Sequence, residues 1–166
     1  MNEPDVVLNK SYRSFTSFSS YQNASLVLIL ITYGTGKLFL NGTASNLKRG
    51  SLCFLTPFDS FLFEADSDSK MQAWVIEFSS SFMLDFLADP FIDLFTFQVL
   101  REKNEIAQLN NDIALEASTM IESLLPEPCD GTIAEYLHNR NVLHFLFSLA
   151  NRSIANIAPQ IGSDNQ

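Results

Sequence analysis

The chain has 166 residues, of which 46% are hydrophobic and 12% aromatic, enough for one domain with a sizeable core and unlike a disordered chain. Ten basic residues stand against nineteen acidic ones, and the net charge of −9 would repel a phosphate backbone, so this chain alone is not expected to hold DNA or RNA. Two cysteines exclude a disulfide scaffold, and the N-terminal residues lack the pattern of a secretion signal, which predicts a cytoplasmic protein.

The first 25 residues form a polar segment with aromatic anchors. Phe15, Phe18 and Tyr21 recur at three-residue steps among serines. Such a segment is either an edge strand that pairs with the sheet that follows, or an arm that folds over a ligand or a partner. The residues leave both alternatives open.

Between Leu26 and Phe78 the chain reads as short β-strands separated by turns. Runs of four to eight residues rich in β-branched and aromatic side chains are punctuated by Gly, Asn-Gly, Arg-Gly and Asp-Ser turns. The predicted strands are residues 26–33, 37–40, a strand ending near 47, then 50–57, 61–64 and 71–78. This pattern predicts a small antiparallel β-barrel or sandwich to which helices are appended.

The strand from Leu26 to Tyr33 is apolar on both faces, which predicts a central strand covered on both sides. The same run is too short to cross a bilayer, so no membrane partner is expected. Gly34 and Gly36 do not begin a dinucleotide-binding motif, because Phe39 stands where the third glycine is needed and no helix follows.

The strand from Met71 to Phe78 is predicted to direct its larger side chains into the barrel, since they alternate onto one face. Together with aromatic residues of the strand before it, they would form an apolar cavity with one amide, suited to a sugar face or to an aromatic or acyl ligand. The alternative is a plain packed core with no room inside. The predicted ligand-binding residues are Phe61, Phe63, Gln72, Trp74 and Phe78.

The order of these elements is similar to that of a known family. An apolar strand, Gly-x-Gly, a short strand, Asn-Gly, Leu-x-x-Gly-x-Leu-x-x-Leu-x-Pro over residues 47–57 and Trp-Val-Ile-x-Phe over 74–78 follow one another. They resemble the N-terminal cupin-like jelly roll, or double-stranded β-helix, of AraC/XylS-type transcriptional regulators. The resemblance implies a domain that binds a small effector, followed by helices that form a homodimer. It also implies that DNA is read by C-terminal helix-turn-helix motifs, for which no room is expected before Gln166.

The histidines argue against a metal-dependent cupin enzyme. His138 and His144 are the only two in the chain, and no histidine stands between residues 37 and 47, where such enzymes place metal ligands. On one helix they would lie about 240° apart, too far around it to share a metal. Neither a metal, a cofactor nor a catalytic residue is predicted, although a free-standing cupin isomerase or oxygenase remains the alternative function.

The second half of the chain is predicted to be helical. Apolar residues recur at three- and four-residue steps from about Lys103 to Leu125, and a last helix runs from about Asp130 to roughly Asn156. That last helix is apolar nearly all the way round, so one face is expected to cover the barrel and another to meet a second subunit. Complete burial within the monomer is the alternative. The predicted dimer interface comprises Val142, Leu143, Phe145, Leu146 and Leu149.

The sequence therefore predicts a mainly β jelly roll with C-terminal helices that acts as an effector-sensing and dimerisation domain and not as an enzyme. The jelly roll is assigned to residues 1–100, the helical dimerisation segment to 101–158 and a linker or disordered tail to 159–166. A pure interaction module with a filled barrel is a third possibility.

Overall fold

The computed structural model describes residues 8–19, 26–55, 59–66, 69–78, 106–124 and 132–163. The strands in these ranges are β1 Leu8–Phe15, β2 Ser17–Ser19, β3 Leu26–Tyr33, β4 Gly36–Leu40, β5 Thr43–Leu47, β6 Ser51–Leu55, β7 Phe61–Ala65, β8 Met71–Phe78 and β9 Ala107–Gln108. The helices are α1 Asn111–Glu122 and α2 Ile133–Ser163. The predicted boundary at residue 100 lies outside the described residues.

Two antiparallel sheets form a cupin-like sandwich, as predicted. One sheet has the order β1-β8-β3-β6-β9 and the other β2-β7-β4-β5. Asn41 and Gly42 join β4 to β5 with positive φ angles of 49° and 87°, the conformation that a two-residue hairpin requires. The N-terminal segment forms edge strands, since β1 pairs with β8 over eight residues and β2 pairs with β7.

The five-stranded sheet is buried on both faces and separates two apolar cores. Along β3, Ile29 and Ile31 face the core between the two sheets, whereas Leu28 and Leu30 face a second core beneath the helices. All four side chains are fully buried. The prediction of a central strand covered on both sides is confirmed.

The predicted orientation of β8 is wrong. Met71, Ala73 and Val75 point between the sheets, and Ile76 and Trp74 belong to the core beneath the helices. The prediction assumed that the larger side chains fill the barrel. The helices provide a second apolar environment for them, while the opposite sheet already contributes bulky side chains to the interior.

The helices differ from their predicted bounds at both ends. Residues 107–108 pair with β6 as β9, and α1 begins only after Asn110, whose side chain caps the helix by accepting a hydrogen bond from the Ile113 amide at 2.9 Å. Helix α2 continues to Ser163, past Pro159, so the predicted tail from residue 159 begins inside the helix. Proline removes one backbone donor, which makes a helix end there common but not obligatory.

Candidate functional site

Four phenylalanines cluster between the sheets at the side closed by the N-terminal strands. Ring centroids lie 5.7 Å apart for Phe15 and Phe18, 5.9 Å for Phe18 and Phe61, and 5.7 Å for Phe61 and Phe63. Phe63 is fully buried, and only 8% of Phe18 and of Phe61 is exposed. The guanidinium of Arg13 lies 5.0 Å from the Phe18 ring centroid, over this cluster. We call these four residues the aromatic cluster.

The structure divides the predicted ligand-binding residues between two faces. Phe61 and Phe63 lie in the aromatic cluster, but Gln72 and Trp74 lie on the opposite face of the five-stranded sheet. There the Trp74 indole Nε1 donates to Ser118 Oγ at 3.0 Å, and the Tyr12 hydroxyl donates to Gln72 Oε1 at 3.1 Å. The backbone of Phe78 pairs with Leu8 and Leu26, while its side chain lies outside what the structure describes. A single pocket formed by all five residues is therefore not observed.

The predicted dimer-interface residues are mostly buried within the monomer. Val142, Leu143, Leu146 and Leu149 pack in the core beneath the helices, and only Phe145 is half-buried. For these four side chains the structure shows burial within the monomer, the alternative to a face left for a second subunit. The reason is α1, whose residues Ala114, Ala117 and Ile121 belong to the same core and so cover a second face of α2.

A cavity of about 780 Å³ opens at one end of the five-stranded sheet. Its lining comes from four segments: Tyr33 to Thr35 at the end of β3, Lys48 and Arg49 between β5 and β6, Ser69 before β8, and residues 108–111 from the end of β9 into α1. We call it the rim cavity. It shares no lining residue with the aromatic cluster.

The basic residues of the rim cavity are carried by an anchored turn. The Gly50 amide donates to the Ile31 carbonyl at 2.9 Å, and the Leu109 amide donates to the Gly50 carbonyl at 2.9 Å. Gln108 Nε2 also donates to the Arg49 carbonyl at 2.9 Å. Backbone contacts on both sides therefore hold the turn between β3 and the segment that leads into α1.

The sequence interpretation missed the rim cavity. The Arg-Gly turn at residues 49–50 was given no role beyond the turn, although Lys48 and Arg49 are the one adjacent pair of basic residues in an acidic chain. That pairing was the available signal. The contributions of Tyr33 and of residues 108–111 could not be found in this way, because they come from connections distant along the chain.

The described residues contain no cluster of metal-binding side chains. No set of three His, Cys, Asp or Glu side chains could hold a metal ion there. Cys53 is buried, and burial raises the pKa of its thiol to about 12. His138 Nε2 lies 3.1 Å from the Ser123 carbonyl oxygen, a contact that joins α2 to the end of α1. Within this same part of the chain, no helix is both long and apolar enough to span a bilayer.

Comparison with known proteins identifies the family to which this architecture belongs. The family described as the AraC-like ligand binding domain matches residues 16–149, which is most of the chain. The chain belongs to this family. The predicted resemblance to AraC-type regulators is thereby confirmed, and with it the assignment as an AraC-like ligand-binding domain.

The AraC-like domain also resembles solved structures of ToxT from Vibrio cholerae. Apo ToxT from strain SCE256 matches with a TM-score of 0.60 and 12% identity, over 91% of this chain and 58% of that chain. ToxT from strain O395, bound to (E)-4-(8-methylnaphthalen-1-yl)but-3-enoic acid, matches with a TM-score of 0.55 and 16% identity, over 88% of this chain and 57% of that chain. The domain thus spans a little more than half the length of ToxT. No curated protein matches the sequence.

Proposed function

We propose that this chain is the effector-sensing and dimerisation domain of a transcriptional regulator. It acts by binding a small molecule and not by catalysis, and DNA is contacted through a C-terminal domain outside this chain. The observation that carries the proposal is the match of residues 16–149 to the AraC-like ligand binding domain.

The proposed effector site is the aromatic cluster. Phe61 and Phe63 provide direct apolar contacts, and Phe15 and Phe18 from the N-terminal strands close the site. Aromatic faces favour an aromatic or acyl compound, or the apolar face of a sugar. The ligand in the ToxT structure, an aryl-substituted butenoic acid, belongs to the first of these classes.

Gln72 and Trp74, which were also predicted to contact the ligand, are instead proposed to transmit its binding from β8 to α1. Gln72 and Trp74 lie on its outer face, next in the chain to Met71 and Ala73 on the inner face. An effector that displaces the inner side chains would shift Trp74 against Ser118 of α1. Such a signal requires that the effector bind with different affinity to two states of the protein that differ in the position of α1.

Thermal unfolding with a ligand panel tests the effector site. The panel contains 4-(8-methylnaphthalen-1-yl)but-3-enoic acid, a C16 fatty acid, benzyl alcohol and arabinose. We expect one member to raise the midpoint temperature of unfolding. Phe61→Leu should reduce this shift more than Phe54→Leu, which changes a phenylalanine packed against the core beneath the helices. If no member raises the midpoint, or both variants respond equally, the aromatic cluster is not the effector site.

Dimerisation is proposed to use the exposed stripe of α2. Ile133 and Leu137, one helical turn apart, are 79% and 48% exposed, and Phe145 is half-buried further along the helix. Leu137→Lys should weaken the dimer in sedimentation equilibrium. The matched control is Leu115→Lys on α1, where the leucine is 60% exposed. A wild-type monomer, or equal effects of both variants, would contradict this interface.

A further inference from the structure

We propose that the rim cavity binds a small anion, a carboxylate or phosphate monoester attached to a flat apolar group. This site is separate from the aromatic cluster and does not depend on the proposed effector site. Its volume of about 780 Å³ lies within the range of small-molecule sites and exceeds what an inorganic ion would fill.

The charge of the lining points to an anion. Lys48 and Arg49 contribute two positive charges, and among the described residues no acidic side chain lines the cavity, although the chain carries nineteen acidic residues against ten basic ones. Both basic side chains are exposed at the cavity, and neither has a carboxylate within salt-bridge distance in the described ranges. An anion in the cavity would be attracted by both charges.

The geometry of the turn suits a preformed site. Gly50 has a φ of 91°, and a Cβ atom there would lie 2.4 Å from the Leu109 carbonyl oxygen. This close approach, with the hydrogen bonds to Ile31 and Leu109, keeps the basic pair beside the start of α1. Ordering the pair on binding therefore costs less than it would in a free loop.

The other walls define the rest of the ligand. Tyr33 is 63% exposed and presents a ring on which a flat group can stack. Asn111 and Ser69 add polar groups that can donate hydrogen bonds to a carboxylate or phosphate oxygen. Asp66 opposes anion binding from just outside, since it accepts a hydrogen bond from the lining residue Thr35 at 2.6 Å.

Calorimetric titration of the full chain tests the proposal. The probes are phenyl phosphate and benzoate, and neutral benzyl alcohol is the control ligand. We expect at least one anion to bind the wild type, benzyl alcohol to bind at least tenfold more weakly, and affinity for the anion to fall with added salt. Whichever of the two probes binds more tightly indicates whether the natural ligand is a phosphate ester or a carboxylic acid.

Matched variants locate the site. The double variant Lys48→Gln with Arg49→Gln should lose about tenfold or more of the anion affinity, whereas Lys37→Gln, on β4 and outside the cavity, should change it less than about threefold. In an amide NMR titration the largest shifts should fall on Gly50 and Asn111, with Phe61 and Phe63 unaffected. Full retention of binding by the folded double variant, or no binding of either anion to the wild type, overturns the proposal.

These outcomes are independent of the effector test. Two members of the thermal panel, the butenoic acid and the fatty acid, are themselves carboxylates, so the two sites are distinguished by their variants. The double variant should weaken anion binding and leave the part of the thermal shift that depends on Phe61 unchanged. Failure of one proposal can therefore be distinguished from failure of the other.

Discussion

The ammonium group of Lys10 on β1 donates a hydrogen bond to the main-chain carbonyl of Ile121 in the last turn of α1, at 3.4 Å. It also donates to the Glu122 carbonyl and lies 5.7 Å from the Trp74 ring centroid. A cation at this position satisfies free carbonyl groups and complements the negative end of the helix dipole. Burial lowers the pKa of Lys10, and the nearby Glu122 carboxylate partly offsets that effect.

Replacement of Lys10 should loosen α1 from the sheet. Lys10→Met keeps most of the aliphatic chain and removes the charge, and we expect the free energy of unfolding in urea to fall by about 1 kcal/mol. The matched control is Lys37→Met at an exposed position of β4, which should change the free energy of unfolding by less than about 0.5 kcal/mol. Equal effects of the two variants would show that the contact with α1 contributes nothing.

The hydrogen bond from Trp74 to Ser118 gives a spectroscopic test of the corrected β8 orientation. Trp74 is the only tryptophan of the chain, so its fluorescence reports the contact with α1. Ser118→Ala should shift the emission maximum and lower stability by about 1 kcal/mol, because the indole N–H loses its partner.

Thr119→Ala is the control for that variant. Thr119 lies on the same helix, and its hydroxyl donates to the Leu115 carbonyl of that helix at 3.0 Å. Its replacement should leave the emission unchanged. An emission shift in Thr119→Ala as large as that in Ser118→Ala would contradict the direct Trp74 contact.

A comparison of Gly50 with Gly42 separates the cost of the close contact between Gly50 and Leu109 from the cost of a positive φ angle. Both have positive φ, 91° and 87°, but only at Gly50 would a Cβ meet another atom, the Leu109 oxygen at 2.4 Å. Gly42→Ala should cost about 1 kcal/mol for conformation alone, and Gly50→Ala at least about 2 kcal/mol more. Chemical denaturation of both variants checks this, and equal losses would mean that the turn can move away from Leu109.

Cys53 should make stability depend on pH in the alkaline range. Burial raises its pKa from the ordinary 9.0 to about 12, so the folded state disfavours the thiolate that forms freely in the unfolded chain. The stability contributed is fully present below pH 9.0 and is lost as pH rises towards about 12, by about 1.4 kcal/mol per pH unit.

Comparison with Cys53→Ala isolates this effect from other alkaline titrations. The difference in unfolding free energy between wild type and variant should be constant from pH 7 to about 9 and then shrink. A difference that stays constant up to pH 11 would show that the thiol ionises as readily in the folded protein as in the unfolded one.

The local sequence pattern was sufficient to predict the strands between residues 26 and 78. The positive-φ turn at Asn41 and Gly42 and the β-branched runs on either side are properties of neighbouring residues, and the predicted strands appear within a few residues of their observed bounds. The order of these elements also identified the family. Pattern was not sufficient for β9 or for the start of α1, because Ala107 and Gln108 become a strand only by pairing with β6.

Which face of β8 points inwards could not be decided from its own residues. Alternation places Trp74 and Ile76 opposite Met71 and Ala73, but it does not say which set faces the second sheet. That choice depends on α1 and α2, which form a second core on the outside and leave Val142 and Leu146 without an exposed surface.

By itself the sequence determined the strand-and-turn pattern, the acidic charge and the family, since each depends on residue types and on their order along the chain. Only the tertiary structure decided which side chains meet: it placed Trp74 beneath the helices and brought Lys48 and Arg49 to the same cavity as Tyr33 and Asn111. The physical reason is that both arrangements arise from packing and pairing between segments far apart in the chain, and periodicity within one segment carries no information about its partner.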